Sequence, residues 1–205
     1  MTKNKLEITD TTTGEKIKEA ARKVFTKKGY AATRTRDIAE EAGINLALLN
    51  YYFRSKEKLF DIVMRENMQQ LLIGLRSVLY NETTTLLHKI KAIVSNYINL
   101  LRKHPDLPLF ILSEIKANPD KFAMNIGART LLLKSHFFKQ VKETGKGKIN
   151  PIQIIINIIG LTVFPFIASP LLKHVGDLNQ KEFDALMKER KKMIPIWING
   201  MLKVK

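Results

Sequence analysis

The sequence predicts an all-α protein. Apolar residues recur at helical spacing along most of the chain, and no segment alternates as a half-buried strand would. Glycines, prolines and capping residues also punctuate the apolar stretches at helix-length intervals. About nine helices are expected: three short ones at the N-terminus, a long fourth that leads out of them, and a larger helical body.

The first helix is read from Ile17, Ala20, Ala21, Val24 and Phe25, one apolar face that ends in Lys27, Lys28 and Gly29. A second fits Thr35 to Ala42, with Ile38, Ala39 and Ala42 inward and Gly43 supplying the left-handed turn. Asn45 is placed to cap a third through Tyr52, and Ser55 a fourth that starts at Lys56 and continues to about Leu79. Leu86 to Leu101 gives a fifth, closed by Arg102, Lys103 and His104 before Pro105. Asn118-Pro119 and Asn150-Pro151 each read as a cap followed by proline at the first helical position. Further helices are expected over Phe110 to Ala117, Asp120 to Glu143, Ile152 to Ala168, and from Asn179 to about Leu202 with a kink at Pro195.

Of the 205 residues, 45% are hydrophobic and 26% charged, enough to bury a core and to join a small module to a larger body. The net charge of +16 attracts polyanions, either nucleic acid or an acidic membrane surface. With no cysteine, disulfides, thiolate nucleophiles and Cys-ligated metals are excluded. The opening Met1-Thr2-Lys3-Asn4-Lys5 is unlike a signal peptide, so a cytoplasmic protein is expected. Pro151 to Leu172 runs without a formal charge, close to the length of a membrane span. Gln153, Asn157 and Pro165 interrupt it and no aromatic belt frames it, which favours a buried core or subunit-interface helix and no membrane span.

The stretch from Thr33 to Leu59 carries the functional signal. One short helix packed by Ile38, Ala39 and Ala42, a glycine turn, and a second held by Ile44, Leu49 and Phe53 make a helix-turn-helix, about residues 34–53. The remaining faces present polar and aromatic side chains to a duplex groove.

This stretch, preceded by Ala21, Phe25 and Gly29-Tyr30, resembles the TetR family of bacterial transcriptional regulators. The likeness rests on Ile38-Ala39 and Ala42-Gly43, on Tyr51-Tyr52-Phe53, and on Ser55-Lys56-Glu57-Lys58-Leu59. It implies a DNA-binding domain over 11–71 and a ligand-binding and dimerisation domain over 72–205. The function implied is that of a repressor that binds a palindromic operator in double-stranded DNA as a homodimer and is released by a small-molecule effector. By the same resemblance Arg34, Thr35 and Arg36 meet phosphate or a base edge. Leu46, Ala47, Leu48 and Asn50 face bases, with Tyr51, Tyr52 and Lys56 near the DNA backbone.

Two positions depart from the family pattern. Arg34 stands where a capping Thr or Ser is usual, which leaves Thr33 or Thr35 to cap the second helix. Asn50 stands where Tyr is usual, and its amide pairs bidentately with adenine or else only touches phosphate or water. Leu46 and Leu48 serve either thymine methyl contact or helix packing. Arg36 has the alternative of a weak surface pair with Glu40.

No catalytic or metal constellation stands out, since His88, His104, His136 and His174 are scattered and neither H-E-x-x-H nor G-x-S-x-G occurs. No enzyme activity and no cofactor are expected. A helical interaction protein or basic membrane-surface module is the competing class, and specific duplex binding separates it from a regulator. In the body, Tyr97, Phe110, Met124, Phe137, Asn157 and Phe164 are candidate effector-pocket residues, each with ordinary core packing as the alternative. Ile155 and Ile159 are the candidate dimer contacts.

Overall fold

The computed structural model describes residues 2–117 and 119–203, and among them the chain is helical throughout with no strand. In the N-terminal part, α1 (Thr2–Ala32) is broken at Gly29, whose φ of 74° only glycine adopts without strain. Next come α2 (Thr35–Ala42), α3 (Leu46–Phe53) and α4 (Lys56–Tyr80). The remainder comprises α5 (Leu86–Lys103), α6 (Leu107–Ala117), α7 (Pro119–Asn125), α8 (Ala128–Leu133), α9 (His136–Thr144), α10 (Pro151–Ile167), α11 (Ser169–Val175) and α12 (Gln180–Leu202).

These twelve helices exceed the nine expected, for two local reasons. Gly127 takes a left-handed φ of 58° and Ser135 accepts a hydrogen bond from the Phe138 N–H, so the stretch read as one helix from Asp120 to Glu143 becomes α7, α8 and α9. The apolar run expected to end at Ala168 turns there, and α11 starts at Ser169-Pro170, bent 69° from α10. No single helix among the described residues is long and apolar enough to cross a membrane. Asn118, expected to cap α7, lies outside the described residues. Asn150 caps α10, and Asn179 and Glu182 form a reciprocal capping box at α12.

The chain divides into two compact units. The first holds residues up to Gln69 together with His104–Asp106, the second the rest, so α4 contributes its first part to one and its second to the other.

The first unit is built on Ile17, Ala21, Phe25, Ile38, Leu49, Leu59 and Val63, all essentially inaccessible. The rings of Phe25 and Phe60 meet edge to face at 5.0 Å, and Tyr30 lies 4.6 Å from Phe60. Glu66 on α4 is gripped from α1 by Lys18, at 2.7 Å, and by Arg22. Partial burial pushes the Glu66 carboxyl up, but the two cationic hydrogen bonds outweigh it and hold the group below its ordinary range. The segment His104–Asp106 is tied in by the Tyr30 N–H donating to Asp106 at 2.7 Å and by Asn67 beside His104 Nδ1 at 3.1 Å.

In the second unit α5 packs against both α10 and α12. Ile90, Val94, Ile98 and Leu101 on α5 meet a core that includes Ile154 and Ile158 on α10 and Met187, Ile194 and Ile198 on α12. Arg190 on α12 donates to the Leu161 carbonyl of α10 at 2.8 Å, and α12 runs on through Pro195.

Candidate nucleic-acid interface and body cavity

The helix-turn-helix takes its shape from a few local choices. Ile38, Ala39 and Ala42 are buried, and small side chains at two of the three positions let α2 approach its neighbours closely. Gly43 closes the helix at φ 63°, and the Ile44 N–H returns to the Ala39 carbonyl at 3.0 Å. Asn45 starts α3 by accepting the Leu48 N–H at 2.8 Å. Leu49 is the buried anchor of α3.

At the start of α2 the guanidinium of Arg34 has only donors and cannot cap. Neither threonine replaces it: the Thr33 hydroxyl donates to the Gly29 carbonyl at 2.7 Å, and Thr35 is the first residue inside the helix. What survives of the cap is the reverse contact, the Arg34 N–H donating to Asp37 at 3.0 Å. That bond, helped by Lys28 at 3.0 Å, holds the Asp37 carboxyl below its usual range.

With the inner face occupied, the outer one is open. Arg34, Arg36, Ala47, Leu48, Asn50 and Tyr51 are exposed, Tyr51 at 74%, and Thr35, Leu46 and Tyr52 are half-buried. No ion pair joins Arg36 to Glu40 among the described residues, which leaves the guanidinium available. Lys56 is partly committed within the unit. It donates to the carbonyls of Tyr30, at 3.1 Å, and Thr33, at 3.0 Å, and sits 4.2 Å from the Tyr30 ring centre. One of its three ammonium protons remains for another partner.

The second unit contains a cavity of about 150 Å³. Leu72, Leu75 and Leu79 of α4 line it with Ile93 and Tyr97 of α5, Leu131 and Leu132 of α8, Phe137 of α9, and Ile155, Ile158 and Ile159 of α10. Among the described residues of that wall Tyr97 is the one polar side chain, and burial pushes its phenol up to about 12, so it remains a hydrogen-bond donor at neutral pH.

Of the six residues expected here, Tyr97 and Phe137 line the cavity and four do not. Phe110 is packed in the core, Met124 and Phe164 are exposed, and Asn157 is half-buried with its amide 3.4 Å from the Met201 sulfur. The aliphatic wall was missed because leucine and isoleucine at helical spacing look the same whether they face a cavity or a neighbour.

The two isoleucines expected at a dimer contact also differ. Ile155 is 9% exposed and faces the cavity, which removes it as an open surface residue. Ile159 is 45% exposed, and the open edge of α10 continues through Ile152 and Ile156. On α12, Ile196 and Trp197 are likewise exposed.

Residues 17–63 match the family described as bacterial regulatory proteins, tetR family. Over its length the chain is similar to the "Probable HTH-type transcriptional regulator YttP" of Bacillus subtilis, 22% identical across 93% of this chain and 94% of that protein. It is 32% identical to the HTH-type transcriptional regulator RutR of Escherichia coli K12 across 49% of this chain and 47% of that one. In fold it resembles the regulator FadR from Bacillus subtilis, solved in complex with stearoyl-CoA, with a TM-score of 0.54 and 18% identity over 88% of this chain and 96% of that one. These relatives are regulators and not enzymes. The helix-turn-helix between Gly29 and Leu59 lies inside the matched region, so this part of the chain is a DNA-binding domain of the tetR regulatory type.

Proposed function

We propose that the chain is a repressor: a homodimer that binds a palindromic operator in the cytoplasm and lets go when a small molecule enters the body cavity. Residues 11–71 serve as the DNA-binding domain and 72–205 as the ligand-binding and dimerisation domain. The carrying observation is the outward set of Arg36, Ala47, Leu48, Asn50 and Tyr51 on a helix pair whose other face is buried. An effector site in the body is supported by the cavity and by α4. That helix gives Leu59 and Val63 to the core of one unit and Leu72, Leu75 and Leu79 to the cavity wall of the other. The FadR relative carries stearoyl-CoA, which adds to that reading.

In this reading Arg36 contacts phosphate or a guanine edge, and Asn50 reads adenine through its amide. Selection from random duplexes should enrich a palindrome with half-sites about one helical turn apart. Arg36→Ala should weaken binding to it at least as much as Asn50→Ala does. Asn50→Ala should also relax discrimination at one base pair by about 1–3 kcal/mol in footprints on single-base variants. Equal loss on every variant would reduce Asn50 to a positioning contact, and enrichment of no sequence would remove the operator reading.

A further inference from the structure

On three helices, neighbouring residues line the body cavity and a second cleft, and at two of them the chemistry changes from apolar to polar. Leu79 is followed by Tyr80 on α4, Leu132 by Leu133 at the end of α8, and Phe137 is preceded by His136 at the start of α9. The second member of each pair lines a separate polar cleft of about 300 Å³. Lys134, Ser135 and Lys139 complete one side of that cleft, and Glu82 is its acidic member.

The charge of the cleft is lopsided. Lys134 and Lys139 are exposed, and the nearest carboxylate to Lys139 is Glu143 at 4.0 Å, a weak pair one helical turn on. Behind His136 lies Lys89, whose side chain is wholly buried. Its Nζ donates to the Thr84 carbonyl at 2.9 Å and to Gln140 Oε1 at 2.7 Å, and lies 3.1 Å from His136 Nδ1. Three neutral acceptors match the three protons of an ammonium, and no carboxylate is among them. An ammonium leaves Nδ1 as the acceptor and so assigns the His136 proton to Nε2, making a donor of a residue that lines the cleft. The N-terminal end of α9, capped by Ser135, adds its dipole with the same sign.

An apolar chamber beside a cationic cleft is suited to a ligand with two ends. We infer that the effector is a short amphiphile, with its apolar part in the cavity and an anionic carboxylate or phosphate head in the cleft at Lys134, His136 and Lys139. This rests on the reading of the cavity as the effector site. The apolar part spans about six to eight carbons, since a dry cavity of about 150 Å³ accommodates a benzene-sized group.

The test uses octyl phosphate, octanoate and 1-octanol with the full chain, by calorimetry at fixed ionic strength and below micelle-forming concentrations. The octyl anions should bind one per protomer and about tenfold tighter than octanol. Lys134→Gln with Lys139→Gln should weaken the anions about five- to tenfold and leave octanol unchanged. Octyl phosphate ahead of octanoate marks a phosphate head, and parity marks a carboxylate. Leu132→Trp, at a half-buried wall position, should lose all three probes with every surface charge in place, with a cooperative melting curve as the check that it folds.

Octanol binding as tightly as the anions, or an unchanged preference in the double lysine variant, overturns the head-group inference and leaves the cavity reading standing. Anion binding that survives Leu132→Trp is adsorption to a basic surface and overturns it too. No binding by any probe, octanol included, removes the cavity reading and the inference with it.

Discussion

Leu49→Ala is expected to cost the DNA-binding unit about 2–5 kcal/mol, because a fully buried leucine would be cut back in a small core that cannot collapse around the gap. Small domains hold only about 5–15 kcal/mol in all, so a loss of that size leaves α3 folded for part of the time where the unit's stability lies at the low end of that range. The DNA-binding unit should melt at a lower temperature and operator binding should weaken, while circular dichroism keeps most of its helical signal from the body. Leu48→Ala is the matched control. One position earlier on the same helix and 37% exposed, it should leave the melting temperature within about 2–4 degrees of the parent, because surface changes of this kind stay within about 0.5 kcal/mol. If Leu48→Ala also weakens binding to DNA, its methyl groups meet the duplex. Equal destabilisation by both substitutions would contradict the orientation of α3.

Ile156→Asp combined with Ile196→Asp should give a folded monomer. Both side chains are more than half exposed, so the protomer core is not cut, yet each charge would sit on the exposed apolar edge of α10 or α12, where we place the twofold contact of the proposed homodimer. Two weakly held half-sites gain about 10²–10⁴ in affinity when bound by linked heads, and that factor is what the double variant should lose on a palindromic operator. Binding to a single half-site should be unaffected. A dimer in sedimentation with full operator affinity would place the contact elsewhere.

The DNA-binding unit was legible in the sequence because each of its turns is written in residue types with one use. Gly29 and Gly43 both have positive φ where the helices were expected to stop, and Asn45 caps where it was expected to cap. The threonine cap at α2 failed because it was inferred from what Arg34 lacks, and a carboxylate at Asp37 supplied a different bond to the same helix end. The body was less legible. Gly127 and Ser135 are turn and cap residues that could have divided residues 120–143, but the apolar residues around them kept helical spacing across both breaks. Cavity residues were hardest, since side-chain type does not give direction: Phe110 went inward, Phe164 outward, and Tyr97 and Phe137 to the cavity.

The single tryptophan of the chain falls at position 197, on α12, 37% exposed and with the Arg190 guanidinium 5.4 Å from its ring centre. The DNA-binding unit has tyrosines and phenylalanines but no indole. Excited at the red edge of the absorption band, the protein therefore emits from one known point in the body. Its colour and its quenching by iodide follow the environment of α12 alone, without a label and without interference from events at the DNA.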